Sequence, residues 1–462
     1  MGDTHIHYRQ IGLERVVEEA SRFGCQYLAF TEHAQYTEYL EAQPGLIAQA
    51  LAAHPEMLLI NGTEWNSPAG DAERSEQVGL LVPGVAAGVP FLRDFLSRYD
   101  TQVAGIRTSE EGFLEALRFL SHEGEGDVRP TAILTHPKGA QEAFTVSSIC
   151  AGLQAGPALA GLCASSRPPR PGELEVWPWT SQVGGTCDRL FARGCPVVML
   201  AESHLHRHGE EEGGEFWPGE FRRNYLYCPE RTEAGFFRGL RSGACYFVLA
   251  DIVRDVAFTA SAGGESIMMG ETLSAEPGQT VTISLGFVEK VRVEAVELIG
   301  NPGGEVRVVA RARIGRPAFS AGHPGTRGKA LARSAGRKTW TVEVRMESKP
   351  CYLRARGSTH VSQPYPMTAC FYTNPLWLTP AAAWGGKGEA RSHCSLRASV
   401  HGCHGHRQRQ CPCPHVCSGR GRAPVPPKQR GLPSGAGDVP HGPEDSRGQP
   451  ELAQPVLHTQ LH

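Results

Sequence analysis

The sequence has no strong excess of charge of one sign and no long hydrophobic run. Lysine and arginine total 46 of 462 residues and aspartate and glutamate total 48, which leaves a net charge of −2 at pH 7. Such a chain produces no overall field that would attract nucleic acid or an acidic membrane surface. No stretch approaches the roughly 18 apolar residues of a membrane-spanning helix. We therefore expect a small-molecule substrate, with neither nucleic acid nor a membrane as a partner.

Closely spaced cysteine pairs are also missing from the part of the sequence before residue 380, although the chain has 14 cysteines. Scattered cysteines are typical of reduced thiols in a cytosolic protein, and they argue against a disulfide framework. The first motif follows Met1 and Gly2 directly, without the apolar segment of a signal peptide. We therefore expect a cytoplasmic protein.

Residues 1–250 alternate short hydrophobic runs with amphipathic segments. The hydrophobic runs predict strands at 27–30, 57–60, 78–82, 131–134 and 197–200. The amphipathic segments predict helices at 10–24, 38–53, 91–99, 110–120, 188–193 and 232–243. Between residues 143 and 178 the pattern weakens, and only 174–177 has the character of a further strand. Strands that alternate with helices indicate an α/β fold with a mostly parallel sheet.

The sequence changes in character after residue 252. Apolar and polar residues then alternate, with glycine and proline between the runs, at 257–260, 280–285, 291–296, 306–309 and 340–344. This pattern predicts a small antiparallel β-domain over residues 251–379. Residues 380–462 are rich in glycine, proline, arginine, serine and histidine and nearly lack aromatic side chains. We expect this segment to be a disordered low-complexity tail.

Several of the predicted strands are followed by histidine, glutamate or both. His5 and His7 stand near the start of the chain, and similar residues follow later strands at Glu32-His33, Glu64, His136 and Glu202-Ser203-His204. Side chains two residues apart in an extended chain point the same way. In α/β folds, the carboxyl ends of the strands meet at one edge, where functional sites lie. These side chains are therefore expected to share one site.

One hypothesis is a multinuclear metal site. Its seven candidate ligands are His5, His7, His33, Glu64, His136, Glu202 and His204. Imidazole and carboxylate groups suit Zn, Mn or Fe, and a carboxylate such as Glu64 can bridge two ions. Each residue taken alone has an ordinary alternative, such as a core histidine, a charge at a helix start or a loop acid. Their joint placement favours the metal site, whereas His206 and His208 are assigned to solvent.

The motif series resembles the PHP (polymerase and histidinol phosphatase) superfamily. The motifs are His-x-His at 5–7, Thr-Glu-His at 31–33, Gly-Thr-Glu at 62–64, Thr-His-Pro at 135–137 and Glu-x-His at 202–204. The segments at 222–227, 239–243 and 373–378 are similar to the carbaryl-hydrolase-like (CehA/McbA) metallohydrolase branch. The resemblance covers about residues 2–378. It implies a distorted seven-stranded β/α barrel with two or three divalent metal ions on its C-terminal rim.

The resemblance also implies which side chains hold which ion. The first ion would be held by His5, His7 and Glu202. The second would be bound by Glu64, as a bridge, and by His136, and the third by His33 and His204. The sequence departs from the family pattern at three positions, because aspartate is usual where Glu32 and Glu202 stand and histidine is expected where Gln77 stands.

Two hypotheses about function follow. The first is a metal-dependent hydrolase in which a metal-bound hydroxide attacks a phosphoester, with Glu64, His136 and His204 as catalytic residues. Ester, amide or carbamate cleavage by the same fold is the alternative substrate class. The second hypothesis is a degenerate barrel that binds a ligand or partner without turnover, which Gln77 and Glu202 favour. A hydrolase is expected to hold two or three ions, and a binding barrel one or none.

Overall fold

The structure is a computed structural model of the chain. It describes residues 1–70, 75–124, 128–135, 145–165, 182–209, 215–313, 319–321, 327–334, 336–359 and 369–381. Three predicted features lie outside the described residues: residues 382–462 of the tail predicted at 380–462, His136, and the strand predicted at 174–177. Met1–Lys387 forms one compact unit, and a domain boundary at residue 250 stays a prediction.

The described residues contain seven α-helices and a 3-10 helix at Pro302–Gly304. The α-helices are α1 (Leu13–Arg22), α2 (Thr37–Ala53), α3 (Gly88–Tyr99), α4 (Glu110–His122), α5 (Val146–Ala155), α6 (Thr186–Phe191) and α7 (Glu233–Ser242). Each predicted helix is present, and α5 is an additional one. None of the helices in the described ranges combines the length and apolar character that a membrane crossing requires.

The same residues contain 21 β-strands. The strands of the first 250 residues are β1 (Gly2–Ile6), β2 (Tyr27–Phe30), β3 (Leu58–Gly70), β4 (Ser75–Val82), β5 (Thr131–Leu134), β6 (Leu159–Ser165), β7 (Val198–Ala201), β8 (Arg222–Leu226) and β9 (Cys245–Leu249). The later strands are β10 (Val253–Ala262), β11 (Glu265–Met268), β12 (Thr272–Ala275), β13 (Thr280–Glu289), β14 (Ala295–Gly300), β15 (Arg307–Arg313), β16 (Phe319–Ala321), β17 (Arg327–Ser334), β18 (Arg337–Arg345), β19 (Cys351–Ser358), β20 (Cys370–Thr373) and β21 (Leu376–Pro380).

The fold is a mixed α/β fold with one large sheet, in which β1 to β7 are parallel except for β4. β1, β2 and β3 pair in parallel, and so do β5, β6 and β7. β4 is antiparallel to both β3 and β5. The expected parallel arrangement fails at β4 because only residues 71–74 connect it to β3. A parallel crossover needs a dozen or more residues.

The pairings of the described strands run as an open path and do not close a seven-stranded barrel. The path passes from β9 and β8 through β1 to β7 in chain order. An isolated parallel bridge joins Ile6, at the end of β1, to Leu205, after β7. The His7 backbone N–H donates to the Leu205 carbonyl at 3.0 Å. This bridge brings the ends of the first and last of the seven strands together, which positions the site.

The later strands are mainly antiparallel. β11, β10, β13, β18 and β17 form a five-stranded antiparallel sheet in that order. Along β18, buried side chains alternate with more accessible ones, as the sequence pattern predicts. β14, β15, β16, β19 and β20 extend the large sheet through antiparallel pairs, and β20 joins it to β9.

Buried polar contacts fix the later strands against β7 and α6. The Arg354 guanidinium of β19 donates to both oxygens of Asp188 in α6, at 2.6 and 2.9 Å, and both side chains are fully buried. Asn374, after β20, accepts a hydrogen bond from the Met199 N–H at 2.7 Å and donates to the Met199 carbonyl at 3.1 Å. β7, the strand that leads into the Glu-x-His motif, is therefore hydrogen-bonded to Asn374 of the later segment.

Cys150 of α5 and Cys195, just before β7, form a disulfide. Their Cα atoms lie 6.1 Å apart, within the range that a disulfide spans. The seven other described cysteines are free, and six of them are buried. The expectation of reduced thiols is therefore wrong for this pair. Because 45 residues separate the two cysteines, their spacing in the sequence gives no sign of the bond.

Candidate metal centre

The ends of four strands bring the candidate ligands together. His5 lies in β1 and His7 directly follows that strand, whereas His33 follows β2. Glu64 lies within β3, because this strand continues to Gly70 rather than ending at the predicted residue 60. His204 follows β7. His136 lies outside the described residues, so its role stays a prediction.

Glu64 is the centre of the cluster. Its Oε1 lies 3.3 Å from His5 Nε2, and its Oε2 lies 2.6 Å from His33 Nδ1 and 3.7 Å from His7 Nε2. The carboxylate is fully buried. Burial alone would lower the pKa of His33, but the hydrogen bond and the charge of Glu64 outweigh it and raise that pKa. The carboxylate and the imidazoles therefore compensate each other's desolvation.

Two residues that directly follow β2 orient the first two histidines. The Thr31 hydroxyl is hydrogen-bonded with His5 Nδ1 at 2.7 Å, which leaves His5 Nε2 directed at Glu64. Glu32 Oε1 lies 3.3 Å from His7 Nδ1 in the same way. A group that holds the second ring nitrogen fixes the tautomer and orientation of a metal-binding histidine. Both rings therefore present Nε2 to the interior of the cluster.

Glu32 is itself held as a carboxylate. Its Oε2 accepts hydrogen bonds from the backbone N–H groups of Tyr8 at 3.1 Å and Arg9 at 2.9 Å. Burial would raise the pKa of Glu32, but the His7 hydrogen bond and charge, together with the backbone donors, lower it to about 2. Glu32 therefore supplies His7 with a charged partner.

His204 completes a first group of ligand atoms. One atom from each of His5, His7, Glu64 and His204 lies within 4.8 Å of the others. The His204 ring stacks on that of His5, with centroids 5.1 Å apart. The backbone of His204 has a φ of 52°, which non-glycine residues rarely adopt. Such strained residues concentrate at functional sites.

His206 belongs to a second group, although the sequence analysis assigns it to solvent. Ligand atoms of His7, His33 and His206 also lie within 4.8 Å of one another. The His206 ring stacks on His7 with centroids 4.0 Å apart, and its Nε2 lies 3.3 Å from His33 Nε2. Burial, followed by the charge of His7, lowers the pKa of His206 to about 4. This imidazole is therefore neutral at pH 7.

His208 is also misassigned by the sequence analysis, but it has a structural role. It is buried and stacks on Trp217, with ring centroids 4.6 Å apart. Its Nε2 lies 3.0 Å from Glu220 Oε2. The spacing of histidines in the sequence cannot separate His206 from His208, because the course of the chain after β7 decides which ring enters the cluster.

Glu202 lies in neither group of ligand atoms among the described residues. It is buried, and the Thr4 hydroxyl donates to its Oε1 at 3.3 Å. Burial, followed by the charge of Asp3, raises the pKa of Glu202 well above its ordinary value. The assignment of Glu202 to the first ion stays a prediction, and His204 is the member of the Glu-x-His motif that the structure brings to Glu64.

Gln77 of β4 contacts the cluster. Its Nε2 donates to Glu64 Oε2 at 3.2 Å and lies 3.5 Å from His33 Nδ1. An amide N–H is a hydrogen-bond donor and offers no lone pair to a metal ion. In this orientation Gln77 stabilises the Glu64 carboxylate rather than serving as a ligand.

Asp3 is a positioning residue that the sequence analysis missed. Its Oδ1 accepts from the His5 N–H at 3.1 Å, and its Oδ2 accepts from the Ser203 N–H at 2.9 Å. The Asp3 carboxylate thus links the His-x-His motif at 5–7 to the Glu-x-His motif at 202–204. Burial raises the pKa of Asp3 to about 6, against the opposing effect of these hydrogen bonds. An acid two residues before a His-x-His motif is a weak sign of this role.

The donors fit a divalent metal ion. Buried imidazole nitrogens around one carboxylate form the ligand set that Zn, Mn and Fe accept. His7 Nε2 is buried and has no hydrogen-bond partner among the described residues, and an ion would satisfy it. The structure therefore contains buried groups that can hold a metal ion. No protein-family model and no curated protein matches the chain.

Proposed function

We propose that the protein is a metal-dependent hydrolase with a phosphoester as its substrate. The observation that carries this proposal is the position of Glu64 between two sets of histidines. Its Oε1 faces His5, and its Oε2 accepts from the His33 ring at 2.6 Å. A buried carboxylate that connects two imidazole groups can bridge the two ions of a dinuclear hydrolytic site.

Each side chain has a role in this proposal. His5, His7, Glu64 and His204 would hold one divalent ion, and His136 is the candidate for a further ligand. Bound ions would supply Lewis-acid polarisation and a water of lowered pKa. Thr31 and Glu32 orient the imidazoles, and Asp3 keeps the first and last motifs together. The resemblance to the PHP superfamily supports this reading, and we propose that β1 to β7 correspond to its distorted barrel.

Arg9 favours a phosphoester over an uncharged ester. Its exposed guanidinium lies over the ring of Tyr36, 4.1 Å from the ring centroid. The Tyr36 ring in turn packs edge-on against the His33 ring, with centroids 5.8 Å apart. The charge of Arg9 also acts on His33. A guanidinium at the edge of the cluster suits an anionic phosphoryl group, because its donors match two phosphoryl oxygens. Ester, amide and carbamate cleavage remain the alternative substrate class.

A second candidate function is ligand binding without turnover by a degenerate site. The hydrogen bond from Gln77 to Glu64 favours it, since this amide stands where the family pattern has a further metal ligand. The two functions differ in the number of ions bound and in whether a bound phosphoester is cleaved.

Hydrolysis by the metal-loaded full chain tests the proposal. The chain is loaded with Zn²⁺, Mn²⁺ or Fe²⁺ and assayed with bis(4-nitrophenyl) phosphate, 4-nitrophenyl acetate and an aryl carbamate. We expect phosphodiester cleavage that a Glu64→Gln variant loses and that the exposed Glu56→Gln control retains. Cleavage of only the ester or carbamate would move the assignment to the alternative class. Metal binding without cleavage of any substrate would support the second candidate function, ligand binding without turnover.

A further inference from the structure

His206 is held in the cluster by contacts on both sides of its ring. Its backbone N–H donates to Glu215 Oε2 at 3.1 Å, and the neighbouring Arg207 N–H donates to the same oxygen at 2.7 Å. The ring Nδ1 lies 3.2 Å from the His204 carbonyl oxygen. A carbonyl has no proton to offer, so Nδ1 must carry the proton of this hydrogen bond. Nε2 is therefore the ring atom that faces His33.

His33 faces the His206 ring, and its own Nδ1 is held by Glu64. Its Nδ1 lies 2.6 Å from Glu64 Oε2 and donates to that carboxylate, which leaves Nε2 directed at His206. The two Nε2 atoms are 3.3 Å apart. At this distance the two nitrogens share a proton, or a metal ion takes the place of that proton between them.

The separation fits a metal ion. Two imidazole nitrogens that each lie about 2.0–2.1 Å from a tetrahedral zinc ion are about 3.3–3.4 Å apart. The third histidine of the group, His7, contacts the His206 ring at a centroid distance of 4.0 Å. Gln77 donates its amide to Glu64 and supplies no ligand here. The segment after β7 thus supplies an imidazole to the cluster on the Nε2 side of His33, whereas Gln77 lies on its Nδ1 side.

We propose that His206 is a metal ligand, and that His33 and His206 bind a divalent ion, best Zn²⁺, through their Nε2 atoms. This ion is distinct from the one held by His5, His7, Glu64 and His204. The inference rests on the proposed metal-dependent function, and it adds a ligand that lies outside the five motifs of the family pattern.

Zinc binding by the full chain tests the proposal. The protein is stripped with a chelator and titrated with Zn²⁺ against a chromophoric competitor. His206→Ala and His206→Asn are compared with Arg207→Ala, an exposed neighbour in the same segment. We expect both His206 variants to lose one zinc equivalent, or to bind it at least tenfold more weakly, and Arg207→Ala to match the unchanged chain.

A second measurement needs no variant. Diethyl pyrocarbonate modifies accessible histidines, and mass spectrometry reads each position. His206 and His54 have nearly equal exposure, 26% and 25%. We expect Zn²⁺ to protect His206 and to leave the modification of His54 unchanged.

The outcomes separate this inference from the proposed function. Unchanged zinc affinity in the His206 variants, with no protection of His206 but loss of zinc in Glu64→Ala, would overturn the role of His206 alone. It would leave a proton shared between the two rings as the explanation of their contact. A chain that binds no Zn²⁺ at all would overturn both proposals.

Discussion

Glu32 Oε1 lies 3.3 Å from His7 Nδ1, and this contact directs the other ring nitrogen, His7 Nε2, toward Glu64 at 3.7 Å. Glu32 is anchored in turn by two backbone N–H groups. The orientation of a central imidazole therefore depends on a carboxylate that does not itself join either ligand group among the described residues. Such supporting partners account for much of the affinity of a metal site.

The first prediction concerns this support. Glu32→Gln keeps the size of the side chain but removes its charge and leaves a single oxygen for the donors around it. We expect the affinity for Zn²⁺ to fall about 10- to 100-fold. Competition titration of the stripped chain measures this, with the exposed Glu56→Gln as control. Equal affinity in the two variants would show that Glu32 is only structural.

The second prediction concerns substrate charge. Arg9→Ala should raise KM for bis(4-nitrophenyl) phosphate about tenfold or more, since a charge-assisted hydrogen bond contributes about 1.5–3 kcal/mol. It should leave KM for the uncharged 4-nitrophenyl acetate unchanged. Arg93→Ala, which removes an exposed guanidinium that pairs with Glu41, is the control. An equal effect of Arg9→Ala on both substrates would argue against a contact with the phosphoryl group.

Much of the fold of the first half can be predicted from local sequence. The strands at 27–30 and 131–134 match the structure residue for residue, because each is a short apolar run that becomes buried. β6 was not predicted, although it lies inside the large sheet, because alanine and glycine dilute its apolar pattern. The antiparallel β4 could not be predicted from periodicity, which does not encode strand direction.

The candidate site, like the fold, can be predicted from the sequence only in part. The predicted set had seven members: His5, His7, His33, Glu64, His136, Glu202 and His204. The structure brings five of them together around Glu64, whereas Glu202 lies in neither ligand group and His136 lies outside the described residues. Asp3 and His206 were missed because their roles depend on contacts across the fold: Asp3 reaches Ser203, and His206 reaches His33. Neighbours in the sequence give no sign of either contact.

The third prediction concerns the buried pair between α6 and β19. Asp188→Asn leaves the Arg354 guanidinium with a buried charge and no carboxylate. Breaking a fully buried pair costs about 3–5 kcal/mol in the free energy of unfolding. Urea unfolding measures the loss, and Asp94→Asn, which breaks the exposed pair with Arg98, should cost under about 1 kcal/mol. Similar losses in both variants would contradict a structural role for the buried pair.

The fourth prediction concerns pH. Glu297 Oε1 accepts from Arg311 at 2.6 Å, and its Oε2 accepts from Arg356 at 2.9 Å. Burial would raise the pKa of Glu297, but Arg356 and Arg311 outweigh it and lower that pKa below the ordinary 4.5. The stabilisation is therefore complete above pH 4.5 and is lost as the pH falls through the lowered pKa.

Urea unfolding at several pH values tests this. The difference in the free energy of unfolding between the unchanged chain and Glu297→Gln should be constant at neutral pH and shrink below pH 4.5. A difference that does not change between pH 7 and pH 3 would show that the charge of Glu297 does not contribute.

The most direct test of the metal centre is the metal content of the purified full chain, measured by elemental analysis beside a Glu64→Ala variant. The account predicts two or three equivalents of a divalent transition metal in the unchanged chain and a clear fall in the variant, because Glu64 contacts His5 and His33. One equivalent of metal or none, unchanged in Glu64→Ala, would contradict a multinuclear site. Ligand binding without turnover would then be the better description of the protein.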